Sequence, residues 1–361
     1  MKIGIIGLPQ SGKSVTFDLL GGPNASRAAE EPGKGRTGVI KVPDARIDLL
    51  SKLFNPKKTT YSDIEFVDFA AIQKSAGGSG GFSSKMLSEI KTVDGLLQVV
   101  RCFRDENVYH VEKTVDPVRD YKLLVGEFHL ADMILVEQRL EKVRASVAKG
   151  LKKDARELAL LEKLKTTLDA ELPASAVEVS AEDDALLRSF AMLTAKPMVT
   201  VLNLDERQLR DSQEEMQKRF AQELGAVKAI RLSARIEGEI AALDTAEERA
   251  AFLEDLGMTE PARARLIRTC YEMLDYISFF TVGEDEVRAW TIRKGTNAQK
   301  AAGKIHSDLE KGFIRAEVVT YEDLARLEGS YAAAKKEGVQ RLEGKEYVVG
   351  DGDVMNIRFN V

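Results

Sequence analysis

Eight residues near the N-terminus carry the densest chemistry in this 361-residue chain: Gly7-Leu8-Pro9-Gln10-Ser11-Gly12-Lys13-Ser14. They fit the pattern GxxxxGK(S/T), in which glycines let successive backbone N–H groups turn inward around phosphate oxygens. Lys13 has the reach to meet β and γ phosphates, and the Ser14 hydroxyl is a hard oxygen donor suited to Mg²⁺. The apolar run Ile3 to Ile6 before the loop and the helix-forming run after it put these N–H groups at a helix N-terminus, where the backbone dipoles favour an anion. An ordinary glycine-rich turn has the same letters, but the strand-loop-helix context favours a nucleoside triphosphate site lined by Gln10, Ser11, Gly12, Lys13, Ser14 and Val15.

The elements that must hold this loop follow from apolar patterning. Strands are expected at 38–42, 63–68, 95–101, 197–202 and 229–232, the third and fourth as nearly continuous apolar runs of the kind central parallel strands show. A helix over 86–91 and a glycine-rich loop over 75–81 separate two of them. Strands alternating with helical segments predict an α/β fold with a doubly wound, mostly parallel sheet, and the loop after its first strand lies at the ligand-binding edge.

Between 101 and 197 the pattern turns helical and charged. Met133, Val136, Leu140, Val143 and Val147 recur at spacings of three and four, as do Leu161, Leu164 and Leu168 beyond a turn at 149–154, so two antiparallel coiled-coil helices are expected. Such a hairpin is either a solvated filler or a protruding arm for a partner, and Lys149, Lys152 and Lys153 at its tip favour the arm.

From about 277 the chain predicts a small α+β domain with the strand content of a β-grasp fold: strands at 279–282, 287–292, 316–319, 347–349 and 356–359, and a helix over 297–309. Asp351-Gly352-Asp353 fits a type I′ hairpin turn better than a metal site. The expected division is a nucleotide-binding domain over 1–128 and 195–275, an inserted helical arm over 129–194 and the C-terminal domain over 276–361.

Composition bounds the function. A formal net charge of −5 argues against wholesale coating of nucleic acid. Local basic residues, Arg288, Arg293, Lys294 and Lys311, fit either a solvated face or contacts to RNA phosphates, the face being favoured. Cys102 and Cys270 are too few for a disulfide framework and read as buried thiols. His110, His129 and His306 accompany no nucleophile motif and read as packing or surface residues. No apolar run reaches the ~20 residues of a membrane span, and a strand stands where a signal peptide would, so a cytoplasmic protein without a membrane partner is expected.

The chain resembles, nearly end to end, the YchF family of Obg-like ATPases, within the translation-factor class of P-loop GTPases. The resemblance is carried by residues 7–14, Phe66-Val67-Asp68, Val99-Val100-Arg101-Cys102-Phe103, Val115-Asp116-Pro117-Val118-Arg119-Asp120, Asn203-Leu204-Asp205-Glu206 and Ser233-Ala234-Arg235-Ile236-Glu237. It implies a nucleotide domain, an inserted helical arm, a C-terminal TGS domain, and association with the ribosome or RNA rather than with a DNA sequence.

The same resemblance assigns roles. Guanine-specific relatives carry Asn-Lys-x-Asp where this chain has Asn203 to Glu206; Leu204 and Glu206 replace the lysine and the guanine-reading aspartate, which implies ATP with incomplete rejection of GTP. The alternative for 203–206 is an ordinary strand-to-helix cap. Ser233 and Ala234 resemble the next base-contacting turn. Asp68 corresponds to the residue that holds Mg²⁺ through water, beside Ser14. Ile72 stands where Ras-like enzymes keep a water-orienting glutamine, so hydrolysis with Lys13 and Ile72 at the catalytic positions should be slow or need a partner. Ala71 replaces a glycine whose N–H meets the γ-phosphate, and Pro32 falls where a metal-binding threonine is expected. Three functions remain open: a slow Mg²⁺-dependent ATPase switch, a nucleotide-binding module without turnover, and a GTPase.

Overall fold

The structure is a computed structural model, described here for residues 1–21, 35–69, 84–148, 155–210, 213–225 and 227–360. Pro32, Ala71, Ile72, the glycine-rich loop at 75–81 and Lys149, Lys152 and Lys153 lie outside the described residues.

In chain order the strands are β1 (Lys2–Ile6), β2 (Arg36–Lys41), β3 (Lys58–Thr60), β4 (Asp63–Asp68), β5 (Gly95–Arg101), β6 (Met198–Asn203), β7 (Ala229–Leu232), β8 (Tyr276–Thr281), β9 (Glu286–Arg293), β10 (Phe313–Thr320), β11 (Arg341–Glu343) and β12 (Asp353–Phe359). The helices are α1 (Lys13–Gly21), α2 (Ala45–Phe54), α3 (Ser84–Lys91), α4 (Pro117–Ala148), α5 (Ala155–Asp169), α6 (Ala181–Ser189), α7 (Glu206–Arg210), α8 (Gln213–Leu224), α9 (Ala234–Ala242), α10 (Ala246–Asp255), α11 (Ala262–Met273), α12 (Ala298–Ile305), α13 (Ser307–Lys311), α14 (Tyr321–Arg326) and α15 (Tyr331–Glu337).

One sheet has the order β2-β4-β1-β5-β6-β7, with β1, β5, β6 and β7 joined in parallel. Every residue of β5 is buried, as the continuous apolar run requires of a strand covered on both faces. The chain leaves β1 toward β4 on one side and returns to β5 on the other, so the loop after β1 sits at the switch point of the sheet.

The helical insert is present as a hairpin. Its first helix, α4, runs 32 residues and starts at a local signal: Asp116 accepts the Arg119 N–H at 3.3 Å, and Pro117 takes the first helical position, where its missing N–H costs nothing. Val136, Leu140 and Val143 of α4 pack with Leu160, Leu161, Leu164 and Leu168 of α5 in one buried cluster, so the heptad-like spacing does mark the seam. The hairpin is tied down by Asp132, which accepts the N–H groups of Leu193 at 2.9 Å and Thr194 at 2.7 Å and the Thr194 hydroxyl at 2.7 Å.

The chain forms two compact units, 1–38 with 66–263 and 39–65 with 264–361. This differs from the boundaries read in the sequence. Residues 39–65 join the C-terminal unit, because β3 pairs in parallel with β9 and α2 buries Ile47 and Leu50 against Phe280, Val287 and Val354. The hairpin counts with the first unit, since α4 shares Leu124 and Phe128 with the core beneath β1 and β5.

The C-terminal sheet has the order β11-β10-β12-β8-β9-β3. Three local expectations change there. Residues 347–349 form no strand; Val348 makes a single bridge to Asn297, and the strand is β11, a few residues earlier. The helix expected over 297–309 is two, broken at His306, whose Nδ1 accepts the Asp308 N–H that opens the second. Residues 351–353 close no hairpin, because β11 and β12 lie on opposite sides of β10. Their acids bind the protein instead: Asp351 accepts the Ser278 N–H at 2.9 Å and pairs with Arg46 at 2.9 Å, and Asp353 accepts the Gly350 N–H at 2.8 Å and the Tyr347 hydroxyl at 2.7 Å.

Candidate nucleotide-binding site

The phosphate loop leaves β1 at Gly7 and enters α1 at Lys13. Two glycines are needed for space, and Gly12 for its turn as well. A Cβ at Gly7 would stand 2.6 Å from the Val99 carbonyl oxygen, and one at Gly12, where φ is +91°, would stand 2.1 Å from Asn203 Nδ2. Gln10 also has positive φ, at 60°. Thr16 locks the entry to α1, donating through both its N–H at 2.9 Å and its hydroxyl at 3.0 Å to the Gly12 carbonyl. Gln10, Ser14 and Val15 are exposed, as contact with a ligand requires, whereas Ser11 is buried.

Lys13 is buried and crosses to β4. Its ammonium lies 2.5 Å from Asp68 Oδ1 and also donates to the Phe69 carbonyl. The second oxygen of Asp68 is taken by Arg36 at 3.1 Å. Arg36 is held from three further directions: Asp18 at 2.9 Å, the Ser14 carbonyl at 3.4 Å and the ring of Phe17, 4.8 Å from its guanidinium carbon. No local pattern marks Arg36 as part of the site.

On the other flank Asn203, at the end of β6, links two loops. Its Nδ2 donates to the Ser11 carbonyl at 3.0 Å and its Oδ1 accepts the Ala234 N–H at 3.1 Å, at the start of α9. Ser233 caps that helix, accepting the Ile236 N–H. Asp205 and Gln208 form a reciprocal cap on α7: Asp205 accepts the Gln208 N–H at 2.9 Å, and the Gln208 side chain accepts the Asp205 N–H at 3.0 Å. Capping is therefore the work of Asp205, and the neighbouring Glu206 side chain, 58% exposed, pairs with Arg210, 3.2 Å away and one turn on. Leu204 points elsewhere. Its side chain is buried with Val100, Cys102, Val118, Leu202 and Phe220, so it packs the core beneath the loop.

Beneath the phosphate loop the segment 101–110 is organised by Arg101, which donates to the carbonyls of Phe103, Asp105, Val108 and Tyr109. His110 is buried in a pair with Asp120 at 2.9 Å, and both share a small cavity with Leu8, Pro9, Ser11 and Gln98. Because His110 Nδ1 accepts the Glu112 N–H at 3.1 Å, its proton sits on Nε2 and points at Asp120. His110 is thus a buried histidine with a directed partner on each ring nitrogen. Cys102 and Cys270 are buried free thiols, and burial pushes Cys270 up to about 12.

The described residues of the predicted site thus fall into a phosphate side, Gln10 to Val15 with Asp68, and a base side, Asn203, Glu206, Ser233 and Ala234, joined through Asn203. The donors Ser14 and Asp68 are oxygen ligands of the type Mg²⁺ takes, and their small number suits an ion that is otherwise held by phosphates and water.

A parallel sheet with a GxxxxGKS loop at its switch point, a lysine reaching an aspartate at the end of a neighbouring strand and an asparagine clamping the loop define a nucleotide-binding P-loop protein. The chain is 43% identical to the ribosome-binding ATPase YchF of Bacillus subtilis (strain 168), over 100% of each chain, and 40% identical to that of Escherichia coli O157:H7, over 100% of this chain and 99% of the other. It is 37% identical to Obg-like ATPase 1 of Gallus gallus, over 100% of this chain and 92% of the other. The structure of the Schizosaccharomyces pombe YchF GTPase matches with a TM-score of 0.86 at 33% identity, covering 99% of this chain and 97% of that one. Residues 276–360 match the family YchF-GTPase_C, described as a protein of unknown function. The chain belongs to the YchF family of Obg-like ATPases.

Proposed function

We propose that this chain is a slow Mg²⁺-dependent ATPase whose nucleotide state controls binding to the ribosome. The observation that carries the reading is the approach of Lys13 to Asp68 at 2.5 Å beside the first turn of α1, which brings the phosphate-binding cation and the metal-associated carboxylate into one corner. On arrival of a triphosphate, Lys13 exchanges one carboxylate oxygen for phosphate oxygens, the loop N–H groups from Gln10 to Ser14 enclose the β-phosphate, and Asn203 keeps the loop fixed against the base side. Ser14 and Asp68 would hold Mg²⁺, which supplies charge neutralisation on the phosphate oxygens when bound.

Adenine selection is assigned to the exposed Glu206, with GTP admitted less well. Ribosome binding is extended to this chain from the names of its Bacillus subtilis and Escherichia coli relatives, and with it a cytoplasmic location. Among the described residues no helix is long and apolar enough to cross a membrane. We also propose that the unit of 1–38 and 66–263 carries the nucleotide site, that its helical hairpin within 129–194 is the partner-contacting element, and that residues 276–360 supply a TGS-like fold to the second unit.

Titration of the pure protein with ATP, GTP and their diphosphates, followed by single-turnover cleavage of ATP, tests the reading. Tighter binding of ATP than GTP is expected, with cleavage below the ~1–100 s⁻¹ typical of kinases. Binding without any cleavage would make the chain a nucleotide-dependent binding module instead. Co-sedimentation with ribosomes that does not respond to ATP would remove the switch.

A further inference from the structure

Both oxygens of Asp68 are engaged by cations. Oδ1 is 2.5 Å from Lys13 Nζ and Oδ2 is 3.1 Å from Arg36 Nη2, and the carboxylate is almost fully buried between them. The two cations differ in what else holds them. Lys13 stands in the phosphate loop itself and has an obvious competing anion in a bound phosphate. Arg36 comes from a different element, at the start of β2, and among the described residues its other hydrogen-bond and ring partners belong to α1: Asp18, the Ser14 carbonyl and the face of Phe17. Its planar fork is thus held by contacts that do not involve the phosphate loop's own ligand.

We infer that Arg36 is a resident cation at the metal corner, competing with the divalent ion for Asp68 and lending its own positive charge to the bound phosphates. This rests on the assignment of Ser14 and Asp68 to Mg²⁺ made above. For Asp68 to orient water on a divalent ion, its Oδ2 must be freed or shared, and the ion must accept a guanidinium as a near neighbour of like charge. Both effects raise the Mg²⁺ concentration that is needed to tighten nucleotide binding. When Mg²⁺ is scarce, the same guanidinium supports the phosphates in its place. A side chain that merely braced β2 against α1 would alter stability and leave the metal dependence of binding alone.

The measurement is equilibrium binding of fluorescently labelled ATP across a series of free Mg²⁺ concentrations, starting from a chelator-treated sample. It uses the full chain and two variants, Arg36→Ala and Asp18→Asn, with circular dichroism to verify folding. Arg36→Ala is expected to lower the Mg²⁺ midpoint about tenfold and to weaken ATP binding in the absence of Mg²⁺ by a similar factor. Asp18→Asn removes the carboxylate that partly neutralises Arg36 without touching Asp68, so a smaller shift of the midpoint in the opposite direction, upward, is expected, and it decides the matter if Arg36→Ala does not fold. A midpoint that stays put in the folded variants, or that rises in Arg36→Ala or falls in Asp18→Asn, overturns the inference while leaving the nucleotide site intact. Failure of the parent to bind labelled ATP at any Mg²⁺ concentration overturns the site assignment and the inference with it.

Discussion

A Cβ atom at position 12 would lie 2.1 Å from Nδ2 of Asn203, so the phosphate loop and the base-side loop are packed to a distance only glycine permits. Asn203 cannot simply swing away, since the same nitrogen holds the Ser11 carbonyl and its Oδ1 holds the Ala234 N–H. Gly12→Ala should therefore weaken ATP binding strongly and lower stability by about 1–3 kcal/mol, the positive φ adding to the clash. The double variant with Asn203→Ala should cost clearly less than the sum of the singles, because removing the amide opens the space; additive losses in denaturant unfolding would mean that the two residues are not in conflict.

Lys13→Ala should remove tight triphosphate binding and keep the fold. Arg36 remains on Asp68, so the buried carboxylate is not left without a cation. A charge-assisted contact is worth roughly 1.5–3 kcal/mol, so an affinity loss of at least tenfold is expected by titration, with an unchanged circular dichroism spectrum. Unchanged affinity would take the phosphate site away from this loop.

Base choice is best probed at Glu206 alone. Restoring both guanine-type residues would put a lysine at 204, and Leu204 lies in the core beside Val100 and Phe220. Leu204→Lys should cost several kcal/mol through a buried ammonium and confuse any change in affinity. Glu206→Asp leaves the Asp205–Gln208 cap intact and should narrow the preference for ATP over GTP. The ratio of the two affinities reads the result directly, and a ratio equal to the parent's would place base selection elsewhere.

Asp132 should make stability depend on pH in the weakly acidic range. Burial pushes its carboxyl above the ordinary 3.8, although the Thr194 hydroxyl and the Leu193 and Thr194 N–H groups pull the other way. The folded state then binds a proton at a pH where the unfolded chain does not, so the contribution of Asp132 is greatest at acid pH and declines as pH rises through its folded value. The stability advantage of the parent over Asp132→Asn should shrink across that window and then level off. Thermal unfolding of both proteins from neutral pH downward tests this, and an advantage that grows with pH would show that the hydrogen bonds outweigh burial.

Much of the nucleotide site was legible because its signals are local. The spacing from Gly7 to Ser14, the apolar run before it and the continuous burial of 95–101 each depend on residues within a few positions of one another, and so does the seam of the helical hairpin. Even two helices that the sequence reading passed over, α14 and α15, carry local starts: Thr320 accepts the Asp323 N–H and Ser330 the Ala333 N–H. They were missed because each is only about two turns long, too short for an apolar period to register.

What sequence alone determined here is therefore the main strands of the first sheet, the helical hairpin and the chemistry of the phosphate loop, all consequences of backbone geometry over short stretches. Only tertiary structure decided which side chains meet. Arg36 reaches Asp68 across 32 positions, Asn203 reaches Ser11 across 192, and β3 leaves its sequence neighbours to pair with β9. None of these encounters follows from periodicity or propensity, because each is set by how strands are ordered and where helices start, and a partner chosen in space leaves no spacing in the chain.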